Sequence, residues 1–261
     1  MNLAPIRVAF GLVVALPAVP ALLAAQAPSD PRAPMPERPT VATHAFTVTP
    51  GFFELETGLE RDANRDKTQL WVAPVYIKVG LAKRAQLGVL ASVVRPPGGT
   101  TRVGDLTLGL KYRLAENLPL AGALAVFSAV KLPIADAAHG TTTTDGSLML
   151  ISSHKFGDAA LDVNLGYTRR SGDGTHAPVN ATLWTVSGGF PLGENVGLAV
   201  EVFGYPGTSG PSGAEPSVAL LSGPTFTVGL HAVVDFGAIL RFKGPQPNAL
   251  YAGITYNLGH F

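Results

Sequence analysis

The sequence predicts an all-β protein, a transmembrane antiparallel up-and-down β-barrel of twelve strands. Three observations predict it. Segments about ten residues long alternate apolar with small or polar residues along the chain. The chain opens on an export signal. No later run holds the roughly 20 apolar residues that a spanning helix needs. The C-terminus shows the alternation: Ala252, Ile254, Tyr256 and Leu258 share one face, and Gly253, Thr255 and Asn257 share the other. In lipid every backbone polar group needs an internal partner, so such strands close into a barrel.

Residues 1–27 read as a signal peptide. Arg7 gives a basic start, Val8 to Ala24 is apolar with interruptions at Pro17 and Pro20, and Ala25-Gln-Ala27 is a small-x-small cleavage site. Residues 28–45 form a proline-rich leader. Proline at this density cannot pair in a sheet, so the stretch is expected to be an extended periplasmic tail. Residues 46–261 are expected to form the barrel. The expected strands are 48–60, 67–79, 84–95, 103–114, 120–132, 144–156, 159–170, 180–190, 196–206, 215–226, 231–242 and 250–260. Ten strands is the competing count, because Gly223-Pro224 reads either as a bulge or as a strand end. Short and long connections alternate, which places both termini in the periplasm.

Composition narrows the function. The chain of 261 residues has 30 glycines and only 14% charged residues, which fits strands punctuated by tight turns. Lys and Arg total 19 against 18 Asp and Glu, so no global charge draws nucleic acid. The absence of cysteine excludes a disulfide framework and thiolate chemistry.

Alternation also assigns faces. Leu106, Leu108, Leu110 and Tyr112 oppose Asp105, Thr107, Gly109, Lys111 and Arg113. Leu161, Val163, Leu165 and Tyr167 oppose Asp162, Asn164, Gly166 and Thr168. Phe236, Leu240 and Phe242 oppose Asp235 and Arg241. Charge on a lipid face is costly, so the polar sets face inward. Glu54, Glu56, Lys131 and Glu201, with Phe203 and Tyr205, join them. Tyr112 and Tyr167 are expected in an interfacial aromatic girdle.

Catalysis finds no support. Ser152 and His154 share a strand face, but two residues advance the chain by about 7 Å, long for a nucleophile–base bond. His231 and Asp235 are roughly 13 Å apart by the same rule. No phosphate loop, dinucleotide fingerprint, zinc spacing or calcium loop is present. His44, His139 and His176 read as solvated. No catalytic residue, cofactor or metal site is expected.

Taken together, Val103-Gly-Asp-Leu-Thr-Leu-Gly-Leu-Lys-Tyr-Arg113, Phe52-Phe-Glu-Leu-Glu-Thr-Gly58, Lys131-Leu-Pro133, Asn164-Leu-Gly-Tyr167 and Gly253 to Tyr256 carry a resemblance. Over residues 46–261 the chain resembles the outer-membrane barrels grouped as "MetA-pathway of phenol degradation" transporters. The resemblance implies a twelve-stranded barrel for uptake of aromatic or other hydrophobic compounds. It places Glu54, Glu56, Asp105, Lys111, Glu201 and Asp235 as lumen residues. One departure stands out: Phe261 falls out of phase with Ile254, Tyr256 and Leu258, and only a terminal bulge would restore the outward aromatic end.

The sequence therefore predicts a monomeric outer-membrane channel that passively admits small hydrophobic or aromatic solutes. Its candidate lumen and transport residues are Glu54, Glu56, Asp105, Lys111, Arg113, Glu201, Phe203, Tyr205, Asp235 and Arg241. Expected partners are outer-membrane lipid, lipopolysaccharide, the barrel-insertion machinery and the solute. A closed structural or adhesive barrel is the alternative, marked by Glu54, Glu56, Asp105, Lys111, Arg113 and Arg241 merging into one ion-pair network. A rim hydrolase is the third reading.

Overall fold

The computed structural model describes residues 30–261, so the expected signal peptide lies outside the described residues. Twelve long strands form one closed antiparallel sheet: β1 (Phe52–Ala63), β2 (Gln69–Ala82), β3 (Ala85–Arg95), β5 (Leu106–Leu118), β6 (Gly122–Leu132), β7 (Asp145–Phe156), β8 (Ala159–Arg170), β9 (Asn180–Pro191), β10 (Val196–Tyr205), β11 (Ser217–Val228), β12 (Ala232–Lys243) and β13 (Asn248–His260). The two-residue β4 (Arg102–Val103) pairs only with β3. Each long strand pairs with its sequence neighbour, and β1 closes the ring on β13. Closure leaves no edge, as a sheet in lipid requires.

The strand count is twelve because β11 runs unbroken through Gly223-Pro224. Pro224 stands opposite Leu198 of β10, while the β12 ladder pauses there between Ser222↔Ala238 and Thr225↔Asp235. Proline has no N–H to give a ladder, and here the gap falls without a change of register.

The two faces are the reverse of a soluble protein's. Leu108, Leu110, Tyr112, Leu148, Leu165, Tyr167, Phe236 and Leu240 are exposed on the outer surface. Glu54, Lys78, Lys111, Asn164, Glu201 and Asp235 are buried inside. Lipid solvates the first set, and the polar residues must satisfy one another or the chain between them.

The C-terminus solves the phase problem with a bulge. The β1–β13 register passes from Glu54↔Asn257 to Phe53↔Gly259, so Leu258 is the extra residue. Gly259 takes φ +102°, a conformation open to glycine and strained for other residues. Phe261 N–H then donates to Gly51 O at 2.9 Å, and its ring packs on Phe53 with centroids 4.7 Å apart. The aromatic end thus returns to the outer face.

The first strand starts at Phe52, later than the sequence suggested, because residues 30–51 are not where the sequence reading put them. From Met35 to Val48 the leader runs inside the barrel, not in the periplasm. Proline still keeps it out of the sheet, but the lumen supplies side-chain acceptors that a sheet partner would otherwise provide. Met35, Ala45 and Phe46 pack with Ala123, Ala125 and Ile151. On the opposite wall, Val41 packs against the cluster of Phe203, Ala219, Leu221, Ile239, Ala249 and Tyr251.

A candidate luminal site built around the leader

The leader and the inward residues make one interior. Wall side chains accept hydrogen bonds from leader backbone N–H groups in sequence order. Met35 N donates to Glu54 Oε1 (2.9 Å), and Glu37 N to Glu56 Oε1 (2.7 Å). Val41 N and Ala42 N donate to the two oxygens of Glu201, each at 2.7 Å. Thr43 N donates to Asn164 Oδ1 (2.7 Å), Ala45 N to Ser153 Oγ (2.8 Å) and Val48 N to Gln86 Oε1 (2.9 Å). Pro31, Pro34, Pro36 and Pro39 carry no N–H, which lowers the number of donors the lumen must satisfy.

Two buried lysines pair with Glu54, Glu56 and Glu37. Lys78 Nζ lies 2.9 Å from Glu54 Oε2 and 2.6 Å from Glu56 Oε1, and donates to Met35 O. Lys111 Nζ lies 2.5 Å from Glu37 Oε1 and donates to Thr43 Oγ1 (2.7 Å) and His44 O (3.0 Å). Charges this deeply buried are tolerable only when paired and hydrogen-bonded, and here both conditions hold.

Arg38 reaches the far wall. Its Nη2 lies 3.2 Å from Asp235 Oδ1. Gly58 and Gly253, directly opposite on β1 and β13, leave the slot it fills. A Cβ at Gly58 would come within 2.8 Å of Arg38 Nη2, and one at Gly253 would strike the guanidinium.

The remaining candidate residues sit at the two mouths. Arg113, near the short-turn end, donates to Lys83 O (2.6 Å), pairs with Glu116 (3.0 Å) and lies 5.6 Å above the Phe46 ring. At the long-loop end, Asp105 pairs with Lys131 (2.9 Å) and accepts from Thr141 N (3.0 Å). Arg241 donates to Gln246 O (2.9 Å). Tyr205 stands edge-on to Phe203, centroids 6.1 Å apart, and is partly exposed at the rim. The charges therefore form separate groups at three levels, not the single network that would mark a sealed structural barrel.

The leader divides the lumen. On its long-loop side lies a chamber of about 250 Å³ with Tyr76, Leu90, Phe127 and Met149 on its walls. The rings of Tyr76 and Phe127 lie against Gly88 and Gly109, which are paired to each other across β3 and β5. Glycines sheltering under aromatics let the rings lie flat and keep the chamber wide. A neighbouring cavity of about 260 Å³ meets it at Thr107, Phe127 and Met149 and extends to Tyr205. On the short-turn side lies a chamber of about 430 Å³ that reaches Glu194 and Asn195. Among the described residues, only Arg38 and Thr40 line both the first and the last of these.

Sequence reasoning missed Lys78, Gln86, Ser153 and the leader's own Glu37 and Arg38. Lys78 alone carried a signal: it is the one charge in the apolar run of β2. Three histidine expectations also change: His44 is not solvated but lies inside the barrel, its Nδ1 accepting from Phe46 N (3.2 Å) and its Nε2 buried. Ser152 Oγ and His154 Nε2 are 3.0 Å apart, because the imidazole extends along the strand and closes the backbone gap. Ser152 gives its proton to Ala121 O (2.8 Å), so the imidazole donates to the hydroxyl and does not act as its base. His139 is buried, not solvated, and is held between Asp136 and Thr100 O. Among the described residues no cluster of three metal-ligating side chains occurs.

A closed barrel with a lipid-compatible belt and a polar, chambered interior defines an outer-membrane β-barrel of the channel class. Residues 37–250 match the family described as "Putative MetA-pathway of phenol degradation", and the chain belongs to that family. No curated protein matches the chain. Among solved structures, an outer membrane channel from Pseudomonas putida F1 superposes with TM-score 0.66 at 13% identity, covering 82% of this chain and 98% of that one. The translocator domain of the autotransporter NalP from Neisseria meningitidis gives 0.48 at 12% identity, covering 80% and 88%. The CymD monoaromatic hydrocarbon channel gives 0.45 at 11%, covering 82% and 89%.

Proposed function

We propose that the protein admits small hydrophobic or aromatic solutes through its lumen, from the rim at Tyr205 past Phe127 and Met149 to the leader. The outer chamber carries this reading. Its walls are apolar and aromatic, while Glu37, Arg38 and Thr40 offer hydrogen-bonding groups at its floor. A pocket of that kind favours an apolar solute with a few polar anchors. A cavity of roughly 150 Å³ is enough for benzene, so a single-ring compound fits this one. The family's description, which names phenol degradation, supports the same solute class.

The candidate residues take distinct parts. Tyr205 lines the apolar route near the rim, and Phe203 sits behind it, buried in the wall cluster that packs on Val41. Glu54, Glu56, Lys111, Glu201 and Asp235 hold the leader that floors it. Asp105, Arg113 and Arg241 fix the two mouths. Folded protein in a planar bilayer tests the reading. Discrete conductance steps altered by phenol or toluene support it, and a folded protein that neither conducts nor carries either solute contradicts it.

A further inference from the structure

The leader has the geometry of an arch. Its feet, Met35 on one side and Ala45 with Phe46 on the other, pack in one cluster against Ala123, Ala125 and Ile151 on β6 and β7. Between them, residues 37–43 cross the lumen and touch the far wall. Three polar contacts hold the tip there: Arg38 to Asp235, and Val41 and Ala42 to Glu201. One apolar side chain, Val41, packs against the same wall. Among the described residues, Arg38 and Thr40 of the arch line both chambers, so the arch stands between them.

We propose that this arch is the gate of the channel, and that its tip leaves β10–β12 while its feet stay in place, joining the two chambers. The proposal rests on the channel reading above. Three features make the tip the part that moves. Each of its bonds ends on a wall side chain, with no ladder to unzip. Its wall partners, Glu201 and Asp235, are carboxylates that water solvates well once it enters the opened lumen, so the latch exchanges partners and does not leave charges bare. The feet bury Met35, Ala45 and Phe46, so leaving the near wall would expose apolar surface and leaving the far wall exposes little. The arch thus acts as an internal ligand of the lumen, tied covalently to β1 only through residues 49–51.

The absence of cysteine makes a clean test in the full chain. Thr43 and Asn164 exchange two hydrogen bonds, at 2.7 and 2.9 Å, so the pair Thr43→Cys, Asn164→Cys ties the arch to the β8 wall. Potassium chloride conductance is read in a planar bilayer, with folding checked by heat-modifiable electrophoretic mobility. Oxidation should lower the open fraction about tenfold and reductant should restore it. Independently, Glu201→Gln should raise the open fraction and speed hydrogen exchange at the Val41 and Ala42 amides relative to strand amides. Equal conductance in the oxidised and reduced pair, with no change in Glu201→Gln, overturns the gate and leaves the channel standing. A folded protein with no conductance in any state and no passage of phenol overturns both.

Discussion

Lys111 Nζ lies 2.5 Å from Glu37 Oε1, joining a barrel strand to a leader residue 74 positions earlier in the chain. The pair explains why a lysine stands at the middle of β5 with no barrel carboxylate as its direct partner. Its counter-charge is carried by the segment it holds.

Replacing Lys111 with Met should therefore unseat the leader without opening the barrel. Removing one partner of a buried pair costs about 3–5 kcal/mol, because the other charge is left uncompensated. The expected result is protease cleavage within residues 30–48 at a rate the wild type does not show. The twelve-stranded barrel should keep its heat-modifiable mobility.

Narrowing the outer chamber at its glycines should reduce solute binding before it affects the sheet. A side chain at Gly109 would overlap the Phe127 ring. Gly109→Val should push that ring into the chamber and weaken toluene binding, read by titration calorimetry in detergent. Unchanged affinity in a folded variant would show that toluene sits elsewhere.

The terminal bulge should matter for assembly. Gly259 holds φ +102°, and a β-branched residue there costs of order 1–3 kcal/mol in strain. Gly259→Val should lower the amount of folded protein in the outer membrane, and deleting Leu258 along with it should recover part of the loss by removing the need for the bulge. Equal folded amounts in all three chains would show that assembly does not depend on the bulge.

The long loop between β6 and β7 should loosen as pH rises. His139 Nδ1 faces Asp136 Oδ1 at 2.5 Å and Nε2 faces Thr100 O at 2.8 Å, and both partners only accept. Both contacts are hydrogen bonds only when the ring is protonated. The bond to Thr100 O and the Asp136 carboxylate raise the His139 pKa, although Arg102, 3.2 Å from Asp136, opposes them. Because folding raises the pKa, this contribution is complete below the unfolded value of about 6.5 and is lost as pH rises through the folded value. Hydrogen exchange at Ala138, His139 and Gly140 should speed up across that interval relative to His139→Ala. Parallel profiles would exclude the histidine as the cause.

How much of this was legible in the sequence depends on the range of the interaction. The strands and their faces were, because alternation is local: Leu108 and Lys111 differ by parity alone. The terminal bulge was visible as a phase error at Phe261. The leader's position was not. Val41 and Glu201 are 160 residues apart, and nothing periodic marks a proline-rich segment as a partner for carboxylates. The glutamates are buried inside the barrel, but what they bind, the backbone of residues 35–48, has no side-chain signature. Lys78 carries a weaker signal, as the one charge in β2, because that strand is apolar on both faces around Pro74 and gives no alternation to read.

An aromatic solute that crosses the outer chamber must pass Met149. The most direct measurement is uptake of labelled phenol by outer-membrane-intact cells that carry no barrel, the wild type, or Met149→Trp, at equal amounts of folded protein. Met149 lines both outer cavities, and tryptophan there fills the space where they meet. Uptake should be faster with the wild type and return toward background with Met149→Trp. The same rate in all three would contradict it.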